Sequence, residues 1–325
     1  MKPLEDPGGS VGPGAKRAEV RSLGPYFLIF FGLVAGCRSR PVEPPMVTPT
    51  ARPTPQASAT VRPFPRESIQ SIVKNCTQKF SGRSGLVVGL ALAPPEQWVQ
   101  HRAEESFEAA SLVKLPILVE LSRRIQAGQL RAEDSMVFEE RHRVGGSGVL
   151  QQRPAGGRYR LEQLAEWMVA ESDNVATDML LEHLGLEQVH RQAVALGLRH
   201  TTVERTIFDF ASIDAGKDNR TCARDMAWLL AQLADRRLAG SEWMLALLEK
   251  TRRRDLLVGG LPPGCRVAHK TGQLDGFLHE AALLRQQPPI LLVVLTAGSP
   301  PEEAQAFMQS LARQVYEQLR EGSAR

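Results

Sequence analysis

The chain has 325 residues, enough for one large domain or two small ones, and its 42% hydrophobic and 23% charged content is that of a globular protein with a real core. Formal net charge is +4, spread along the chain with no Lys/Arg-rich block. That distribution argues against a nucleic-acid surface and leaves a solvated exterior as the reading of the basic excess.

The chain opens with a segment that reads as targeting. Lys16, Arg17 and Arg21 precede an apolar run from Tyr26 to Ala35, which is too short for a stable membrane span. The run ends Val34-Ala35-Gly36-Cys37, which resembles a bacterial lipobox. Residues 1–37 are therefore expected to be a lipoprotein-type signal peptide with Cys37 lipidated. An ordinary secretory signal with a chance cysteine is the alternative. Lipid on Cys37 would anchor the protein to a membrane without spanning it, on the periplasmic side of the cell envelope. Arg38 gives no obvious inner-membrane retention signal, which points to the outer membrane. Residues 38–66 hold eight prolines between Pro41 and Pro65 and are expected to form an extended, semi-rigid linker. With Cys37 lipidated, the three thiols of Cys76, Cys222 and Cys265 cannot all pair within one chain. None has metal-ligand spacing, so no metal and no cofactor are expected. Each is read as a small buried apolar side chain.

The folded part is expected over residues 67–325. Ile69, Ile72, Val73 and Cys76 give Glu67 to Phe80 helical spacing, and Ser84 to Ala93 reads as a short buried strand. Pro94-Pro95 turns the chain, and Trp98 to Arg102 returns as a second strand. From Ser111 to Thr251 the pattern is mostly helical, with helices expected at 161–171, 174–184, 224–233 and 241–249. Strands return at 266–271, 276–284 and 290–296, and Pro300 opens a final amphipathic helix. Strands at both ends and helices between them predict an α+β fold, an α/β/α sandwich. One antiparallel sheet is flanked by terminal helices, with an all-helical lobe of about residues 111–255 inserted. The cleft between lobe and sheet is the expected site.

Ser111-Leu-Val-Lys114 is an S-x-x-K tetrad. In a helix, positions i and i+3 share a face, so the amine can sit beside the hydroxyl, and a buried amine can accept its proton. Such a tetrad is common by chance, and Ser71-Ile-Val-Lys74 is a second one. Its place in the first helix, before any strand, reads as solvated polar face. Order and spacing favour Ser111. Ser172-Asp173-Asn174 follows 61 residues later (172 − 111), and Lys270-Thr271-Gly272 follows 98 after that (270 − 172). The first two motifs fall at helix starts and the third on a strand. Helix capping by Ser172 or Asp173 is the plain structural reading of the middle triplet.

The set S-x-x-K, S-D-N, K-T-G resembles the class A β-lactamases and penicillin-binding D,D-peptidases over about residues 67–325. The resemblance implies acylation of Ser111, with Lys114 as proton acceptor and Ser172 passing a proton to the leaving nitrogen. Asn174 would hold the substrate amide, Lys270 and Thr271 its carboxylate, and Gly272 would leave room for it. Backbone N–H groups of Ser111 and Gln273 would form the oxyanion hole. It implies a β-lactam or D-Ala-D-Ala-type peptide as substrate, no nucleic-acid partner, and a monomer. Two departures stand out. Class A enzymes carry R-x-E-x-x-L-N on a loop whose Glu activates the deacylating water, but the matching stretch Arg205 to Ala211 has Ile207 at the Glu position. Glu204 and Asp209 are the nearest acids on that stretch, and Thr221 to Met226 aligns with the family pattern on the far side of the loop. His279 stands where an Arg often helps bind the carboxylate, and a neutral His would bind it less well. The expected behaviour is acylation with slow or absent deacylation. A β-lactamase-like hydrolase, an envelope D,D-peptidase and a non-turnover β-lactam sensor all remain open.

Overall fold

Residues 64–324 are described by the structure, a computed structural model, and they belong to one unit, Ala59–Arg325. The expected signal segment, Cys37 and all but the end of the proline-rich linker lie outside the described residues. In chain order the described elements are α1 (Arg66–Lys79), β1 (Arg83–Leu90), β2 (Val99–His101), β3 (Phe107–Glu108), α2 (Lys114–Gln126), β4 (Ser135–Val137), β5 (Arg158–Arg160) and α3 (Leu161–Ala170). Then come α4 (Asn174–Leu184), α5 (Leu186–Ala195), α6 (Phe210–Asp214), β6 (Arg220–Thr221), α7 (Ala223–Ala234), α8 (Ser241–Glu249), β7 (Val267–Leu274), β8 (Phe277–Leu284), β9 (Ile290–Ala297) and α9 (Pro301–Ala324).

The main sheet has the order β2-β1-β9-β8-β7, antiparallel throughout. Every residue of β9 is buried, as its continuous run Ile-Leu-Leu-Val-Val-Leu-Thr-Ala requires of a central strand covered on both faces. Its alternate side chains feed two cores. Leu291, Val293 and Leu295 join the helical lobe, while Ile290, Leu292 and Val294 join the core under α1 and α9. On the α9 side Phe307, Met308, Leu311 and Val315 recur at helical spacing, and Phe307 stacks on Phe80 with centroids 4.5 Å apart. Burying each such side chain contributes about 1.5–3 kcal/mol.

Two short ladders are not among the expected elements: β4 with β5 inside the stretch read as mostly helical, and β6, also inside it, with β3 just ahead of it. Ladders of two or three residues leave no run long enough to show period 2, and their pairing partners are far apart in sequence. The β7–β8 hairpin turns through Asp275-Gly276, with Gly276 at φ 73°. A two-residue Asp-Gly turn fixes the register, so Gly272 pairs with His279 and Lys270 with Ala281. That register aims Lys270 at the helical lobe and His269 at the opposite face.

Candidate active site

The first wall of the cleft is the segment entering α2. Ala109 N donates to Asn219 O at 2.8 Å, Ala110 takes a left-handed φ of 45°, and a single 3₁₀ turn, Ala110–Val113, carries Ser111. A non-glycine residue at positive φ costs about 1–3 kcal/mol and persists only where its surroundings enforce it. Lys114 opens α2 and is fully buried, and Pro116 sits in the first turn, where a missing N–H costs nothing. The second wall is the turn between α3 and α4. Ser172 is also left-handed, at φ 54°, and Asp173 caps α4 by accepting Ala176 N at 2.9 Å. The second Asp173 oxygen accepts Leu150 N at 2.8 Å, so that carboxylate is committed to structure. The third wall is β7. A Cβ on Gly272 would lie 3.3 Å from Ser111 N and 3.2 Å from Ala110 Cβ, so glycine lets the strand backbone approach the Ser111 turn.

These walls bring the three motifs together. Lys114 Nζ lies 3.1 Å from Ser111 Oγ, 2.9 Å from Asn174 Oδ1, and 2.6 Å and 3.0 Å from the backbone oxygen and Oγ of Ser172. Burial pushes the Lys114 amine well below its ordinary range, and the nearby Lys270 ammonium pushes the same way. A neutral amine here can donate to Ser172 O and Asn174 Oδ1 while its lone pair faces the Ser111 hydroxyl. Ser172 Oγ donates to Ser111 Oγ at 2.8 Å and accepts from Lys270 Nζ at 3.1 Å. Lys270, 1% exposed, also donates to Thr271 O at 2.9 Å. Burial lowers Lys270 to about 7, and the buried carboxylate of Glu280 holds it from falling further. One continuous set of hydrogen bonds therefore runs Lys270–Ser172–Ser111–Lys114. It can move a proton off Ser111 and supply one on the opposite side.

The cleft is lined by Ser111, Ser172, Lys270, Thr271 and Gln273, with Ser147, Thr251, Arg252 and Arg253. Arg253 donates to Gln273 Oε1 and pairs with Asp255 at 2.9 Å. Arg252 and Arg253 are cations that the sequence reading did not single out. Their signal was an Arg-Arg-Arg run in the loop after Thr251, indistinguishable there from surface charge.

His279 is placed otherwise than expected. It is fully buried beside Phe107, Nε2 donates to Glu108 O at 2.9 Å, and Nδ1 accepts Thr296 N at 3.2 Å. Burial lowers it to about 4, so the ring is neutral and both nitrogens are occupied. β8 lies one strand further into the sheet than β7, and its side chain meets β3 instead of the cleft. The carboxylate role expected of His279 therefore has no geometry to support it; the arginines that line the cleft are Arg253, held by Asp255 and Gln273, and Arg252, paired with Glu171 at 2.8 Å. The other tetrad is an open contrast. Ser71 and Lys74 are exposed on α1, and Ser71 Oγ donates only to Glu67 O.

The loop from Arg205 to Asp218 is closed at its base by Arg205 Nε on Asp218 Oδ1 at 2.7 Å. Ile207 is half-buried against the lobe core, and its N–H donates to Asp178 Oδ1 at 2.8 Å. Of the acids on this stretch, Asp209 caps α6 by accepting Ser212 N and Oγ, and Glu204 accepts Asp218 N. Among the remaining thiols, Cys222 and Cys76 are buried, whereas Cys265 is only half-buried, and all three are free.

The model of the Beta-lactamase enzyme family matches residues 65–319. A β-lactamase of Rhodobacter capsulatus is 29% identical over 162 residues, 49% of this chain, and the match spans about half (54%) of that relative's length. Among solved structures, a β-lactamase from Sphaerobacter thermophilus superimposes with TM-score 0.69 at 24% identity, covering 78% of this chain and 96% of its own. A point mutant of PBP-A, solved as an acyl-enzyme complex with penicillin G, gives TM-score 0.70 at 22% identity, covering 78% and 97%. These structural matches show the fold, the antiparallel sheet flanked by helices described above.

Proposed function

The chain belongs to the beta-lactamase enzyme family, and from that premise we propose that it is a serine hydrolase acylated at Ser111 by β-lactams. One observation carries the reading. A buried amine of lowered proton affinity, Lys114 Nζ, lies 3.1 Å from Ser111 Oγ. Ser111 Oγ attacks the lactam carbonyl carbon and its proton passes to Lys114. The carbon–nitrogen bond then breaks, and Ser172 delivers a proton to the nitrogen. Backbone N–H groups of Ser111 and Gln273 take the developing oxyanion, and Lys270 with Arg253 receives the substrate carboxylate. The penicillin adduct on the structurally similar PBP-A supports a penicillin as the first ligand to try. A second reading, a D,D-peptidase that β-lactams inhibit, is favoured by Ile207 at the loop position where the resemblance calls for glutamate.

The test is to incubate the purified protein with benzylpenicillin and follow intact mass and ring opening together. Many turnovers support hydrolysis, and a lasting one-to-one adduct supports the second reading. Ser111→Ala must abolish the adduct and Ser71→Ala must not. No adduct on the wild-type protein would remove the acylation claim. We further propose that Cys37 is lipidated and holds the protein at a membrane of the cell envelope. Cys37→Ala should then move it from the membrane to the soluble fraction.

A further inference from the structure

On the Arg205–Asp218 loop Asp209 is committed to the cap of α6, while Asp178, on the helix packed against the loop, meets it at Ile207. Asp178 lies on α4 one turn beyond Asn174, on the same helix face, and Asn174 Oδ1 is a partner of the Lys114 amine. The residue is 8% exposed. Its Oδ1 accepts the backbone N–H of Ile207 at 2.8 Å, which brings the carboxyl from the helix to the loop position that lacks an acid of its own. Among the described residues nothing hydrogen-bonds to Oδ2, and that atom is not sealed from water. Resting on the acylation reading above, we propose that Asp178 is the proton acceptor that releases the acyl group from Ser111, acting through water held between α4 and the loop.

The step balances as an ester hydrolysis. The water oxygen bonds to the acyl carbonyl carbon, and its proton passes towards Asp178. The bond between that carbon and Ser111 Oγ then breaks, and Oγ takes a proton from the Ser172–Lys114 network. Transfer of that proton from Asp178 back to the Ser172–Lys114 network, through water, restores the starting state. The surrounding charges suit this task. Burial raises Asp178 to about 7, against the opposing pull of the Ile207 N–H, Lys114 on α2 and Arg205 at the loop base, while Asp209 on the loop raises it. A carboxyl that titrates near neutrality is a better proton acceptor than an ordinary one. Asp173, the other acid that acts on Lys114, already accepts two backbone N–H groups.

The isosteric change Asp178→Asn separates chemistry from scaffolding. An amide oxygen can still accept the Ile207 N–H, but it cannot take a proton. Asp178→Ala removes both functions, and Asp214→Asn, exposed on α6, serves as control. Each full-length protein is labelled with benzylpenicillin, freed of excess drug, and followed by intact mass from pH 5.5 to 8.5. Wild-type release should speed up as pH rises through about 7, where the carboxyl ionises. Asp178→Asn should slow release by roughly 100-fold and flatten that profile. Its thermal midpoint should stay near the wild-type value, and Asp214→Asn should release at the wild-type rate. The proposal is overturned if Asp178→Asn matches wild type in rate and profile, or if only Asp178→Ala slows release, which would mark a loop anchor alone. A wild-type adduct that never hydrolyses overturns it while leaving acylation intact. Absence of any adduct removes the acylation reading and this inference together.

Discussion

Lys270→Met tests the electrostatic reading of the cleft through stability. Lys270 is 1% exposed, and its amine falls from 10.5 to about 7 on folding, chiefly because burial disfavours the charge. Between those values the unfolded chain holds a proton that the folded protein has lost, so stability rises with pH across that window. Below about 7 both states are protonated and the full cost of burying the ammonium is present. At ~1.4 kcal/mol per pH unit, the gap between 10.5 and about 7 corresponds to ~5 kcal/mol. Methionine has similar bulk and no charge, but it gives up the hydrogen bonds to Ser172 Oγ and Thr271 O. At ~1 kcal/mol for each bond, the variant should be ~3 kcal/mol more stable than wild type at pH 6.5. That advantage should shrink by ~3 kcal/mol at pH 9.5, where most of the wild-type cost has gone. Urea unfolding of both proteins at the two pH values measures this directly. A variant less stable than wild type at both, with an unchanged pH slope, would refute the reasoning. The stabilised variant should also label poorly with penicillin, because the cation facing the carboxylate is gone.

Acylation itself should depend on pH in kcat/KM. Activity should fall as pH rises through about 7, where Lys270 loses its charge. Stopped-flow labelling with a chromogenic β-lactam across that range measures the fall. Arg253→Ala should weaken capture of carboxylate-bearing β-lactams by roughly 10-fold, with reduced sensitivity to salt, as read from labelling rates at varied drug concentration. His279→Ala should leave capture nearly unchanged but cost ~2–5 kcal/mol of stability, because it strands the buried Glu108 carbonyl and Thr296 N–H. Chemical denaturation alongside the labelling assay separates the two effects.

The sequence by itself determined the strands of the main sheet at both ends and the helical stretch between them, because long runs such as β9 and α9 carry their periodicity in their own residues. It also singled out Ser111 over Ser71, because three short motifs in one order and spacing make a stronger pattern than either tetrad alone. What it could not supply were properties that depend on neighbours distant in the chain. Whether an imidazole faces a cleft or a strand depends on where its strand sits in the sheet, and His279 lies under β3 because β8 is an inner strand. Arg253 gained its meaning only when the chain brought it against Gln273, 20 residues further on, at the mouth of the cleft. Asp178 was a residue in the middle of a helix until folding buried it and set it against Ile207 N. Proton affinity follows burial and the charges close by in space, so tertiary structure alone decided that two lysines and one aspartate here depart so far from their ordinary ranges.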